Sequence, residues 1–273
     1  MRTRRVVLGA LLVTVVGAVL LASGRPFSSN AAGTPSPRPP DQSAPVGSFA
    51  LLPGPPRPAF QIPEPKPLDD GDTSLWAPVA RRTDARAAPG PSTRVVTELK
   101  VRTPEGTANI VLVLERRERA GRVWVRVRLP VLPNGTTGWV AREALGGYVS
   151  VQTRLVIDRR RFEATLLRHG RAVFRAPVGV GKPEWPTPLG TFYIRSRLTK
   201  YESPFYGPVA FGTSARSAVL TDWPAGGFVG IHGTNRPELL PGPVSHGCIR
   251  MRNEDILELA ELMPVGTPVT IRS

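Results

Sequence analysis

Three side chains capable of nucleophilic or acid–base chemistry lie near the C-terminal end of the sequence. Cys248 is the only cysteine of the 273-residue chain, and two of its three histidines, His232 and His246, precede it by sixteen and two residues. A free thiol, with a pKa of ~8.5, becomes nucleophilic when a neighbouring imidazole takes its proton. The thiolate–imidazolium pair can attack a carbonyl carbon, and the imidazolium can then protonate the leaving amine. The pattern therefore predicts acyl transfer through Cys248.

Spacing alone leaves open which histidine is the base. In an extended segment His246 and Cys248 point to the same face, about 6.5–7 Å apart, which suits a supporting role for His246. His232 ends the predicted strand GFVGIH, and the proline-rich loop 234–244 can fold its ring back onto the thiol, so we favour His232. A Cys-His-His metal site fits the ligand types, but no fourth ligand is apparent. We therefore predict no metal and no cofactor.

The residues before position 74 indicate export. Three arginines, at positions 2, 4 and 5, precede an apolar run at 6–22, so residues 1–24 are predicted to be a signal peptide or a membrane anchor. Arginines before such a run stay cytoplasmic, which places the remainder outside, secreted or held at the cell envelope by residues 6–22. An uncleaved segment would remain in the membrane. Twelve of the 31 prolines lie in 33–67, so residues 25–73 are predicted to be a disordered linker.

The chain is strongly basic, with 36 Lys+Arg against 21 Asp+Glu and a formal net charge of +15. Such a charge can indicate nucleic-acid binding. The basic residues are spread as isolated arginines without interleaved aromatic residues, and an exported protein rarely meets nucleic acid, so we predict no nucleic-acid partner. An anionic cell envelope is the better candidate, while simple solvation of the arginines is an equally good explanation.

Residues 74–147 are predicted to form short strands separated by turns. NIVLVL (109–114) is typical of a buried strand, and RVWVRVRL (122–129) alternates, with Val123, Val125, Val127 and Leu129 on one face and Trp124 on the other. The stretch VWVRVRLPVLPNGTTGWVAREAL resembles bacterial SH3-like domains that accompany cell-wall enzymes. We therefore expect a small N-terminal SH3-like β-barrel.

Residues 148–273 are predicted to form a second, mainly β domain. RHGR (168–171), which contains His169, is typical of a hairpin turn, and TPLGTFYI (187–194) of a turn that leads into a strand. NEDILELAELMP is the one clear helix, which we expect Asn253 to cap and Pro264 to end. The whole chain is therefore expected to be mainly β, with one or two short helices.

A family resemblance joins these features. IHGTNRPELLPGPVSHGCIRMRNEDILEL, with GVGKPEWPTPLGTFYI upstream, is similar to the signature of the L,D-transpeptidase catalytic domain (the YkuD family), over about 149–273. The resemblance implies an L,D-transpeptidase-type β-sandwich in which Cys248 is the nucleophile. It also implies that His232 is the proton donor and acceptor, and that the carbonyl of Gly233 orients its ring.

The resemblance extends to neighbouring residues of the motif. It implies that Ser245 and His246 shape and orient the pocket and that backbone N–H groups near Gly247 and Cys248 stabilise the oxyanion. Arg250 has two possible roles. Its guanidinium could bind a substrate carboxylate, or it could be a solvated surface arginine. Tyr206 is a candidate for lining the substrate groove, as is Trp185.

The substrates that the resemblance implies are peptidoglycan stem peptides. The thiol of Cys248 would attack the amide between the third and fourth stem residues, release D-alanine and pass the acyl group to a second stem. Carbapenem-type inhibitors are predicted to acylate the same thiol. Two alternatives remain: hydrolysis, by an L,D-carboxypeptidase or a cross-link-cleaving peptidase, and an inert cell-wall-binding module.

Overall fold

The computed structural model describes Leu68 and residues 73–199, 203–220 and 227–273. These residues all belong to one unit in the contact pattern of the chain, Phe60–Ser273. The predicted signal peptide or anchor at 1–24 lies outside the described residues, as does nearly all of the predicted linker at 25–73. Within the described part, no helix is long and apolar enough to cross a membrane. This part is mainly β, with seventeen strands and one α-helix.

Seven strands form the first sheet, in the spatial order β3-β2-β6-β5-β4-β1-β7, and every pairing is antiparallel. The strands are β1 (Ser74–Pro78), β2 (Thr83–Arg86), β3 (Val95–Leu99), β4 (Ile110–Arg119), β5 (Arg122–Arg128), β6 (Thr137–Ala141) and β7 (Val149–Val151). The order ends at β3 and β7, and no pairing between these two is present in the described residues. A closed SH3-like barrel therefore stays a prediction.

The predicted alternation of β5 is present for most of the strand. Val125, Val127 and Leu129 are buried in the core of the first sheet domain. Val123, predicted to share that face, is exposed because it lies at the hairpin end of the strand. Trp124 is also buried, on the opposite face, where it packs with Trp139. Strand β7, which lies past residue 147, pairs with β1 and extends this sheet.

Ten strands form the second sheet, in the order β10-β9-β8-β17-β12-β13-β14-β16-β11-β15. They are β8 (Thr153–Asp158), β9 (Glu163–Arg168), β10 (Arg171–Pro177), β11 (Gly179–Gly181), β12 (Gly190–Leu198), β13 (Ala210–Arg216), β14 (Phe228–His232), β15 (Gly242–Ser245), β16 (Ile249–Arg250) and β17 (Pro268–Arg272). The β9–β10 hairpin turns at His169 and Gly170, both with positive φ, as predicted. The mixed pairing brings β14 and β16 side by side in parallel.

The single helix, α1 (Asn253–Leu262), covers the interior of the second sheet. Ile256, Leu259 and Ala260 are buried against the core of that sheet. The prediction that Asn253 caps the helix is wrong. The N-cap is Arg252, without a side-chain cap bond, and Oδ1 of Asn253 instead accepts a hydrogen bond from the N–H of Thr234 at 3.0 Å. Asn253 thus ties the start of the helix to the loop after His232.

The two sheets contact each other directly. The hydroxyl of Tyr193, on β12, donates a 3.0 Å hydrogen bond to the carbonyl of Ile110, on β4. Gly266 lies against the indole of Trp76, so closely that an added Cβ would be 1.9 Å from Cδ1 of the ring. Only glycine fits there, and its φ of +89° independently favours glycine.

Candidate active site

The parallel pairing of β14 and β16 brings His232 and Cys248 together. His232 ends β14 opposite Arg250, and Cys248 comes immediately before β16, beside Gly230. A Cβ added to Gly230 would lie 3.8 Å from Cδ2 of His232 and 3.9 Å from the sulfur of Cys248, so both side chains flank the same face of Gly230. The N–H of Gly230 also donates to the sulfur, at 3.4 Å. Because Gly230 has no side chain, nothing from this strand position fills the space that the imidazole and the thiol both face.

The orientation of the His232 ring follows from its hydrogen bond. Nδ1 lies 2.6 Å from the carbonyl oxygen of Gly233. Because a carbonyl only accepts, Nδ1 carries the proton and Nε2 is left as the basic atom, on the ring edge that includes Cδ2. An added Cβ on Gly233 would lie 2.4 Å from Oδ1 of Asn253 and 3.0 Å from Cα of Gly207. Close packing therefore holds the orienting carbonyl in place.

Burial keeps both groups neutral at rest. His232 is 2% exposed, and its burial lowers its pKa to about 4, although the bond to Gly233 acts in the opposite direction. Burial of the sulfur raises the pKa of Cys248, while the N–H of Gly230 and the charge of Arg250 oppose that rise. A resting thiolate–imidazolium pair is therefore not favoured here. Proton transfer from sulfur to Nε2 must accompany attack on the substrate.

The side chain of Ser245 holds the loop that carries the thiol. Oγ of Ser245 donates to the carbonyl of Cys248 at 2.5 Å and accepts from the N–H of Gly247 at 3.1 Å. The Gly247 N–H is thus paired with Ser245 in this structure, and its role at the oxyanion stays a prediction. The N–H of Cys248 has no acceptor among the described residues. Gly247 itself has φ of +113°, which favours glycine.

Thr187 is a positioning residue that the sequence analysis missed. Its side chain is fully buried, and Oγ1 donates to the carbonyl of Gly247 at 2.8 Å while accepting from the N–H of Gly181, also at 2.8 Å. It thereby fixes the loop that carries Cys248 to β11. No local signal distinguishes this threonine, since its partners lie six and sixty residues away.

An open pocket contains both Cys248 and His232. Its lining includes His232, Cys248, Arg250, Phe205 and Tyr206. The ring of Tyr206 meets the imidazole of His232 edge-on, with centroids 4.8 Å apart. Tyr206 is therefore in the pocket as predicted.

Arg250 is not a solvated surface arginine, the second of its two possible roles, because it is only 8% exposed. Its guanidinium lies 4.8 Å from the centroid of the Phe205 ring, and its Nε has no hydrogen-bond partner in the described residues. Burial lowers its pKa from the ordinary arginine value. The structure thus leaves a buried guanidinium beside the thiol without a carboxylate partner among the described ion pairs.

His246 is exposed and lies against Trp185, with ring centroids 4.3 Å apart. Both this ring and the sulfur line the pocket. The described residues contain no group of three His, Cys, Asp or Glu side chains placed to hold a metal ion.

Residues 152–271 match the family model of the L,D-transpeptidase catalytic domain, YkuD. The putative L,D-transpeptidase YqjB of Bacillus subtilis is 32% identical over 128 residues, which cover 43% of this chain and 69% of that protein. The chain belongs to the L,D-transpeptidase family. The catalytic-domain resemblance seen in the sequence is thereby confirmed.

Two further relatives extend the comparison. The putative L,D-transpeptidase YkuD of Bacillus subtilis is 40% identical over 107 residues, 39% of this chain and 58% of that protein. This chain thus spans 58% of the length of that relative. Among solved structures, the catalytic domain from an E. faecium L,D-transpeptidase is 25% identical, with a TM-score of 0.33 over 44% of this chain and 96% of that one.

Proposed function

We propose that this chain is a peptidoglycan L,D-transpeptidase that joins stem peptides through an acyl-enzyme on Cys248. The observation that carries the proposal is the placement of Cys248 and His232 on the same face of Gly230, in the lining of one open pocket. Family membership supplies the substrate class, because the residues alone specify only acyl transfer. An inert wall-binding module would not need an oriented imidazole beside its only thiol.

The first half-reaction uses the resting geometry. Nε2 of His232 takes the proton of the Cys248 thiol as the sulfur attacks the carbonyl carbon between the third and fourth stem residues. The N–H of Cys248, which has no acceptor in the described part of the chain, is the donor best suited to the oxyanion. The imidazolium then gives its proton to the amine of the departing D-alanine. The C–N bond breaks, and a thioester remains on Cys248.

The second half-reaction reverses the proton's path. The side-chain amine of the third residue of another stem attacks the thioester, and its proton passes to Nε2 of His232. The C–S bond breaks, and the proton returns to the sulfur. The product is a cross-link between third residues, and the enzyme recovers its neutral thiol and neutral imidazole.

Arg250 is the proposed site for a substrate carboxylate, with Tyr206 beside it in the groove. The guanidinium is buried in the pocket with an unsatisfied Nε, so it bears a desolvation cost that an incoming carboxylate would offset. Stem peptides end in a carboxylate, which makes them chemically suitable partners. Ser245 acts as an orienting residue through its two bonds to the thiol loop.

The wider setting is also a proposal. Peptidoglycan lies outside the cytoplasm, so the enzyme would act in the cell envelope, secreted or anchored by residues 6–22. The first sheet would be an SH3-like module that contacts the wall or positions the second sheet. Its antiparallel strands and single apolar core are compatible with that role.

The thiol is tested by incubating the full-length chain with a carbapenem and measuring its intact mass. We expect the wild type to gain the mass of the inhibitor and Cys248→Ala to gain none. His169→Asn changes an exposed histidine in a hairpin turn and serves as the control for replacing a histidine outside the pocket. Its mass gain should equal that of the wild type. An equal mass gain in wild type and Cys248→Ala would refute acylation of the thiol.

The reaction type is tested by product analysis with purified tetrapeptide stems. A dimer linked through third residues means transfer, as proposed. A shortened monomer alone means that water is the acceptor, and the chain would then be an L,D-carboxypeptidase. Cleavage of preformed dimers would instead identify a cross-link-cleaving peptidase.

A further inference from the structure

One side chain of the first sheet reaches a wall of the catalytic pocket. Asn134 lies in the turn between β5 and β6, and its amide makes two hydrogen bonds to the backbone of Arg216, at the end of β13. Nδ2 donates to the Arg216 carbonyl at 2.7 Å, and Oδ1 accepts from the Arg216 N–H at 3.0 Å. The amide thus pairs with Arg216 as a neighbouring strand would.

Arg216 connects this pair to the pocket. It pairs with Phe228 in the β13–β14 ladder, and its guanidinium also lies 4.9 Å from the centroid of the Phe228 ring. The next residue, Ser217, donates its N–H to the carbonyl of Gly227 at 2.8 Å. Ser217, Gly227 and Phe228 all line the pocket that contains Cys248. The Asn134 bonds therefore hold the backbone from which this wall begins.

Strand β14 connects this wall to Cys248 and His232. Phe228 begins β14, the strand that carries Gly230 against the sulfur and ends at His232. The Arg216–Phe228 pairing follows a register irregularity after Gly212, so the regular ladder does not by itself fix the end of β13. Asn134 bonds Arg216, the residue at which the pairing with β14 resumes beyond this irregularity.

We propose that Asn134 is a positioning residue for the substrate pocket, so that the first sheet domain contributes to binding the stem peptide. Asn134 acts through Arg216 and sets the place of the wall formed by Ser217, Gly227 and Phe228. This inference rests on the proposed function, since the substrate is taken to be a stem peptide. It assigns the first domain a direct effect on substrate affinity, in addition to any contact with the wall polymer.

A second contact between the sheets provides the matched control. The Tyr193 hydroxyl bonds to the Ile110 carbonyl in the buried interface, and neither residue lines the pocket. Tyr193→Phe therefore removes an inter-sheet hydrogen bond without changing the wall. Asn134→Ala removes the two bonds that hold the wall, and Asn134→Gln keeps the amide but displaces it by one methylene.

The experiment measures tetrapeptide turnover and the alkylation of Cys248 by iodoacetamide without substrate, for each variant of the full-length chain. For Asn134→Ala we expect KM to rise about fivefold or more, with kcat within about twofold of wild type. Asn134→Gln should recover part of the loss, and Tyr193→Phe should leave KM within about twofold. The substrate-free alkylation rate should be similar in all four proteins, because the thiol itself is untouched.

Each outcome decides the proposal. Equal KM values for Asn134→Ala and Tyr193→Phe would show that Asn134 contributes only general stability and would overturn it. A loss confined to kcat would also overturn it. If Asn134→Ala does not fold, Asn134→Gln decides the question. An unchanged KM in Asn134→Gln would contradict the proposal, and a raised KM would support the proposal. Absence of turnover in the wild type would instead overturn the proposed function on which the proposal depends.

Discussion

Replacing His232 is expected to change how stability depends on pH. The residue is 2% exposed, and burial lowers its pKa to about 4 from the ordinary 6.5. Between these values the unfolded chain binds a proton that the folded chain does not. Acidification through this window therefore favours unfolding, and the stability that the neutral imidazole confers is present above pH 6.5 and lost as the pH falls towards 4.

The size of the effect follows from the two pKa values. Each pKa unit corresponds to about 1.4 kcal/mol, so the full window is worth about 3 kcal/mol. Between pH 7 and pH 4.5, where most of the window is crossed, the contribution of His232 to the free energy of unfolding should fall by about 2 kcal/mol. In His232→Asn this part of the pH dependence should be absent.

The assay is urea unfolding of the full-length chain at pH 7 and pH 4.5, followed by fluorescence and circular dichroism. The quantity compared is the change in unfolding free energy between the two pH values, so any constant loss from the substitution cancels. His169→Asn makes the same substitution at an exposed turn with φ of +50°, a conformation that asparagine tolerates, and should retain the wild-type change. If His232→Asn lost as much stability on acidification as the wild type, the buried neutral imidazole would be refuted.

Four other predictions concern the pocket and its support. The pH midpoint for alkylation of Cys248 by iodoacetamide should lie above the ~8.5 of a free thiol, since burial raises its pKa; a midpoint below 7 would contradict this. Arg250→Gln should raise the tetrapeptide KM by roughly tenfold or more through loss of a charge-assisted bond, whereas an unchanged KM would exclude carboxylate binding. Thr187→Val should lower kcat/KM by roughly tenfold, with Thr187→Ser recovering most of it. Gly266→Ala should cost at least about 2 kcal/mol in urea unfolding, because its Cβ would overlap Trp76.

The candidate reacting residues could be proposed from the sequence because their chemistry is rare in this chain. There is one cysteine, and the strand GFVGIH ends at His232 as its composition indicates. The hairpin at His169 was equally readable, since the turn is local. Local patterns of this kind depend on neighbouring residues alone, which the sequence displays directly.

Contacts between distant segments could not be read in the same way. Ser245 folds back onto the N–H of Gly247, and Asn253 turns from the helix to Thr234 nineteen residues away. Thr187 reaches Gly247 across sixty residues. Each side chain has several possible partners of similar chemistry, and only the packing of the sheet selects among them.

The neutral form would also protect a lone thiol from oxidation in the envelope location proposed above. Oxidation of a cysteine follows its thiolate character, and burial disfavours the thiolate of Cys248. The same burial lowers the basicity of His232, so the imidazole does not ionise the thiol before substrate arrives. A bound substrate would add what the free site lacks: an amide carbonyl carbon that accepts electrons from the sulfur. The oxygen of that carbonyl would lie beside the proposed oxyanion donor. The low reactivity expected at rest and the proposed nucleophilic attack in the complex would therefore have one physical cause, the desolvation of both groups around Gly230.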